Sequence, residues 1–183
     1  MADGRPVIVL IGAPGAGKTR LGKRVAKLLG APFVDTDKRI VARHGVISEI
    51  FADHGEPHFR ALERMTVAEA LTETAVVALG GGAVLDADTQ RDLAGHRVVL
   101  LTVTPEAVEA RINSGKRPLV SGIESWKTLV GARTAIYESL ATRSFDTSHR
   151  PLDKIADEIV QWVRETDATD SAAPTSDETG TAQ

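Results

Sequence analysis

The residues best suited to chemistry stand together in Gly12-Ala13-Pro14-Gly15-Ala16-Gly17-Lys18-Thr19, which fits the pattern G-x-x-x-x-G-K-[ST]. Several backbone N–H groups must converge there on phosphate oxygens, which needs glycine's access to positive φ and the absence of side-chain bulk. Lys18 supplies a mobile full charge for the β- and γ-phosphates, and the Thr19 hydroxyl is suited to ligate Mg²⁺. A nucleoside triphosphate enzyme or switch is implied. The second substrate is not.

Seventeen residues beyond Lys18 comes Asp35-Thr36-Asp37. It follows a short strand, at the edge where open α/β sheets put their ligands, although Asp37 in that place also suits the cap of a helix over residues 38–43. Arg60 and Glu63 lie three apart on a helix, so they share a face, a spacing equally at home in a solvated surface pair. Gly80-Gly81-Gly82 is less neutral, because three consecutive glycines cost conformational entropy and suit a backbone that nears a ligand or turns sharply. In Lys116-Arg117-Pro118-Leu119 a cation rides a polar loop, either solvated or able to swing over transferring phosphate. Arg133, with Tyr137 one turn later, sits on a helix whose core stripe reads Ala132, Ile136 and Leu140 and needs no functional arginine.

The elements that must carry these residues follow from periodicity. Val7-Ile8-Val9-Leu10-Ile11, bounded by Pro6 and Gly12, reads as a strand buried on both faces of a parallel sheet. Leu21, Val25, Leu28 and Leu29 recur at helical spacing over residues 18–29, with Gly30 as the stop. Further strands are expected at 33–34, 75–79, 98–101 and 144–145, and helices at 38–43, 57–72, 87–94, 105–112, 126–141 and 152–164. Alternating strands and helices argue for a three-layer α/β/α fold with a mainly parallel sheet. The polar segment 113–125, with Gly115, Pro118 and Gly122, breaks that rhythm and reads as a lid. One domain is expected over residues 1–166. Residues 167–183 contain no large apolar side chain to offset the entropy of ordering, and read as a disordered acidic tail.

Composition narrows the classes. With 42% hydrophobic and 26% charged residues the chain is of ordinary globular type, and the absence of cysteine excludes disulfides, thiolate metal sites and cysteine nucleophiles. The apolar stretch before Gly12 is too short for a membrane span or signal core, so a cytoplasmic location is the default. A net charge of −3 gives no sign of nucleic-acid or membrane partners.

Taken in order, these residues resemble one family, shikimate kinase. The resemblance rests on the phosphate loop, Asp35-Thr36-Asp37, Phe51 through Gly55-Glu56 to Phe59-Arg60 and Glu63, Gly80-Gly81-Gly82-Ala83, Arg117-Pro118-Leu119, Arg133 through Tyr137 to Ala141, and Asp146-Thr147, across residues 6–165. It implies a five-stranded parallel sheet of nucleoside monophosphate kinase type with a lid, and Mg-ATP-dependent phosphorylation of the 3-hydroxyl of shikimate in aromatic amino-acid biosynthesis, by a monomer. By position, Asp37 would hold the acceptor hydroxyl and act as base or orienting group, with Lys18 and the lid cation Arg117 as the other catalytic groups. Asp35 would support the metal beside Thr19. Arg60 and Arg133 would bind the shikimate carboxylate, Glu63 would hold Arg60, and Gly81 and Gly82 would offer N–H groups. Gly12, Ala13, Pro14, Gly15, Ala16, Gly17, Lys18, Thr19 and Arg117 would hold ATP, with Arg111 and Pro151 flanking adenine. The sequence departs from the family at Thr19-Arg20, where Ser-Thr is usual, and in a stretch before Phe51 and a loop from Arg111 to Arg117 that are each about one residue short. Two rivals share much of this pattern: a P-loop kinase of another small acceptor, such as a sugar acid or nucleotide, and a non-catalytic ATP-sensing module.

Overall fold

Strand β1 (Ile8–Gly12) is buried along its whole length. Its neighbours are β2 (Phe33–Asp35), β3 (Val76–Ala78), β4 (Val98–Thr102) and β5 (Arg143–Asp146), in a five-stranded parallel sheet of order β2-β3-β1-β4-β5. The computed structural model describes residues 4–113 and 122–172.

Side chains alternate across a strand, so β1 feeds two cores. Ile8 and Leu10 join Val76, Ala78, Val99 and Leu101 on one face, under α1 (Lys18–Leu29) and α8 (Leu152–Ala172). Val9 and Ile11 join Val77, Val98 and Leu100 on the other, under α3 (Ile47–Ala70), α4 (Ala87–Leu93) and α7 (Thr134–Leu140). Burial on both faces explains the unbroken aliphatic run, each such side chain stabilising the fold by about 1.5–3 kcal/mol on leaving water. The remaining helices are α2 (Thr36–His44), α5 (Pro105–Asn113) and α6 (Gly122–Gly131), with a 3₁₀ turn over Ala83–Leu85.

The chain leaves β1 toward β2 on one side and later crosses from β3 to β4 on the other, so the crevice between the C-terminal ends of β1 and β3 is the switch point where such sheets bind ligands. Several expected boundaries need correction. The helix expected at 57–72 begins at Ile47 and is broken by Gly55, whose φ of 80° no continuous helix can hold. The single helix expected at 126–141 is two, with Arg133 as the N-cap of α7, and its inner residue is Tyr137 rather than the exposed Ala132. Of the segment expected as a lid, 113–125, α5 takes Asn113 and α6 takes 122–125, and residues 114–121 lie outside the described residues. Order does not stop at residue 166 either: α8 continues to Ala172, with Asp167 paired to Arg97 at 2.6 Å. The rest of the expected tail, 173–183, lies outside the described residues.

Candidate active site

The phosphate loop leaves the end of β1 at Gly12, whose φ of 137° and closeness to β4 both demand glycine: an added Cβ would lie 2.3 Å from the Leu101 carbonyl oxygen. Gly17 caps α1 in the left-handed conformation, and no acidic residue occupies the first turn to offset the positive helix end. Lys18 folds back along the loop, its Nζ donating to the carbonyls of Gly12 (2.6 Å) and Ala13 (3.0 Å).

The next three carbonyls of this loop are held from outside it. Beyond the two held by Lys18, that of Pro14 accepts from Trp126 Nε1 at 2.8 Å, that of Gly15 from Arg111 Nη1 at 2.7 Å, and that of Ala16 from Thr147 Oγ1 at 2.9 Å. Arg111 also donates to the Thr147 carbonyl, and its burial there beside Arg20 holds its pKa below the ordinary value. In a trans peptide the C=O and the following N–H point opposite ways, so outward carbonyls turn the N–H groups of Gly15 and Gly17 toward the cavity side. Pro151, exposed, directly precedes Leu152, whose side chain approaches Gly17.

Across the crevice, β2 delivers Asp35 and α2 delivers Asp37. Asp35 does two things at once: Oδ2 accepts from Thr19 Oγ1 at 2.7 Å, and Oδ1 accepts from the Lys38 N–H at 3.1 Å as the N-cap of α2. The cap role considered for Asp37 thus belongs to Asp35, leaving Asp37 in the first helical turn. Thr36, fully buried, donates to the Ala78 carbonyl (3.4 Å) and accepts from the Gly80 N–H (3.0 Å), tying α2 to the end of β3.

The glycine run starts there. An added Cβ on Gly80 would stand 2.3 Å from Asp37 Oδ1 and 2.9 Å from Glu63 Oε1, and one on Gly82 would stand 2.3 Å from Arg60 Nη1. Arg60 donates from Nη1 to Glu63 Oε2 (2.6 Å) and from Nη2 to Glu56 Oε1 (3.1 Å). Arg133 Nη1 and Tyr137 Oη both donate to the Gly81 carbonyl, at 3.1 and 2.6 Å. Burial raises the Glu63 carboxyl, the negative charge of Asp37 adds to that, and Arg60 and Arg133 oppose it. Burial likewise raises Tyr137, which keeps its phenol a donor. The structure therefore brings Asp37, Arg60, Glu63, Gly80, Gly81, Gly82 and Arg133 into one cluster. The expected lid cation, Arg117, lies outside the described residues.

For Mg²⁺ the donors present are a hydroxyl and a carboxylate in contact, Thr19 and Asp35. Mg²⁺ binds hard oxygen through one or two carboxylates plus phosphates, and the described residues contain no cluster of three or more His, Asp or Glu able to cage a metal by themselves. The residues fit a metal carried in by a nucleotide.

A glycine loop built for phosphates on one wall and a carboxylate and arginine cluster on the other is the division of a P-loop kinase that acts on a small molecule. Known proteins agree. The family model described as shikimate kinase matches residues 14–164. A shikimate kinase of Thermobifida fusca is 47% identical over 162 residues, 86% of this chain and 94% of that protein, and one of Salinispora tropica is 49% identical over 160 residues, 84% and 95% respectively. Among solved structures, the shikimate kinase of Acinetobacter baumannii in complex with shikimate superposes with a TM-score of 0.80 at 30% identity, over 89% of this chain and 94% of that one. This chain belongs to the shikimate kinase family.

Trp126, Tyr137, Thr36 and Thr147 are the site residues to which sequence reasoning gave no role. Their targets are carbonyls and amides far along the chain; Thr36, Tyr137 and Thr147 stood inside motifs of the family resemblance, whereas Trp126 carried no signal.

Proposed function

We propose that the chain transfers the γ-phosphoryl group of ATP to the 3-hydroxyl of shikimate. The observation that carries this reading is the convergence of Asp37, Arg60, Glu63 and Arg133 on Gly80–Gly82, directly across the crevice from the phosphate loop.

The acceptor carboxylate is held by Arg60 and Arg133, two guanidinium forks from separate helices, which fix a planar anion where a single charge would let it rotate. Glu63 keeps Arg60 in place from beneath. The hydroxyl is then oriented at Asp37, which accepts its proton as the oxygen attacks the γ-phosphorus and the bond to the β-phosphate oxygen breaks, releasing ADP. Lys18 leaves its carbonyl partners to meet the phosphates, and the loop N–H groups add fixed dipoles. When bound, Mg²⁺ would neutralise charge on the β- and γ-phosphates, held by Thr19 and through water by Asp35. Arg117 is the lid cation of this reading, and Arg111 and Pro151 border the adenine side.

A coupled assay with shikimate, gluconate and nucleoside monophosphates tests the reading, only shikimate being turned over efficiently. Shikimate methyl ester, which lacks the carboxylate charge, is then a very poor substrate. Arg60→Lys and Arg133→Lys each lower kcat/KM for shikimate by roughly ten- to a hundredfold, with ADP affinity retained. Equal use of ester and acid would reduce the assignment to a P-loop kinase of unknown acceptor.

A further inference from the structure

We infer that Trp126 is a positioning residue for the nucleotide, acting through the Pro14–Gly15 peptide of the phosphate loop. This rests on reading the loop as the ATP site.

The indole is the one donor that α6 sends to the loop among the described residues, from 112 positions away in the chain. It is 5% exposed and packs with Ala13 and Val108, flanked by Ile123, Val130 and Val103. An added Cβ on Gly15 would touch Val108 at 3.5 Å, so this apolar cluster underlies the crest of the loop. A buried indole with a single N–H is a rigid donor at fixed height, and its bond to the Pro14 carbonyl sets the rotation of that peptide. Proline has no N–H of its own, so the donor that the Pro14 carbonyl controls is the Gly15 N–H of the same planar peptide. Trp126 aims it.

The coupling runs both ways. When a phosphate oxygen accepts from the Gly15 N–H, the peptide polarises, its carbonyl becomes a stronger acceptor, and the indole bond tightens. The protein contains two tryptophans, and Trp162 lies on α8 in the core cluster beneath α1, away from the phosphate loop, so two indole N–H cross-peaks report the two environments separately.

The test uses the full chain labelled with ¹⁵N. Saturating MgADP is expected to move the Trp126 indole proton downfield and leave Trp162 in place, whereas shikimate alone moves neither. Trp126→Phe, which keeps an aromatic ring, is expected to raise KM for ATP about two- to tenfold while KM for shikimate at saturating ATP is unchanged, the range for one neutral hydrogen bond. Replacing Trp126 with benzothienylalanine, which keeps the bicyclic shape and exchanges N–H for sulfur, is expected to give the same split without the loss of Tm that truncation brings. Calorimetric MgADP binding with a stationary Trp126 cross-peak would overturn the inference, as would an unchanged KM for ATP in the benzothienylalanine protein. Failure of MgADP to bind at all would overturn the nucleotide-site reading and this inference with it.

Discussion

Asp37 and Gly80 are packed so closely that a single methyl group on Gly80 would stand 2.3 Å from the Asp37 carboxylate oxygen. Asp37, the base of the proposed reaction, and the glycine run therefore hold each other's geometry. Gly80→Ala is expected to push the carboxylate aside and lower kcat by about a hundredfold, much as Asp37→Asn does by removing the base, with ADP binding intact in both. Single-turnover kinetics beside ADP calorimetry check this. Wild-type turnover in Gly80→Ala would mean the carboxylate has room to spare.

The contact between Thr19 and Asp35 predicts a shift in metal demand. Asn is as good an N-cap as Asp, so Asp35→Asn keeps the start of α2 while removing the charge and the oxygen that accepts from Thr19. The Mg²⁺ concentration for half-maximal activity is expected to rise about tenfold or more, the scale of one lost charge-assisted contact, with Tm nearly unchanged. A metal titration at fixed ATP measures it, and an unchanged midpoint would remove Asp35 from the metal's surroundings.

Tyr137 shares the Gly81 carbonyl with Arg133. Planarity of that peptide makes the pair set the direction of the Gly82 N–H. Tyr137→Phe keeps the packing and deletes one donor, so kcat/KM for shikimate is expected to fall about two- to tenfold while KM for ATP stays put. Equal losses for both substrates would indicate a general packing defect instead.

Glu63 predicts a pH effect. Burial raises its carboxyl above the ordinary 4.5. A carboxyl raised on folding favours the native state most while protonated, so its contribution is full below the ordinary value and is lost as pH climbs through the elevated one. Between about pH 4 and about pH 7 the wild type should therefore lose more stability on the way up than Glu63→Gln does, as read from urea midpoints. Parallel curves would show that Arg60 offsets the burial of Glu63 completely.

What could be read from the chain, and what could not, divides along physical lines. β1, the glycine loop and α1 were legible because a buried parallel strand and a phosphate nest each impose composition locally. The split between α6 and α7 was not, because Gly131-Ala132-Arg133 carries no proline and the helical spacing of apolar residues runs on past it. The last turns of α8 are not legible, because residues 167–172 carry no large apolar side chain. A contact from across the fold holds them instead, the ion pair of Asp167 with Arg97. Arg60 and Glu63 could be paired from their spacing, but their meeting with Gly82, Gly80 and Asp37 is a product of the crossover that carries α2 and α3 from β2 to β3.

The broken helix α3 has a bearing on how the molecule opens. Ile40, Ile50 and Phe59, ringed by Ile47, Phe51 and Leu62, form an apolar cluster apart from the two that line the sheet. The ion pair of Arg43 with Glu69 fastens α2 to the second half of α3, beyond Gly55, and that of Arg39 with Glu73 ties it to the turn just after the helix. The first half, residues 47–54, rests on the small cluster. Its amides should exchange with deuterium through local excursions that cost a fraction of the global unfolding free energy, while those of β1 and β4 exchange only when the whole protein unfolds. The enzyme would then carry two clocks, a fast one next to the proposed acceptor site and a slow one beneath the phosphate loop.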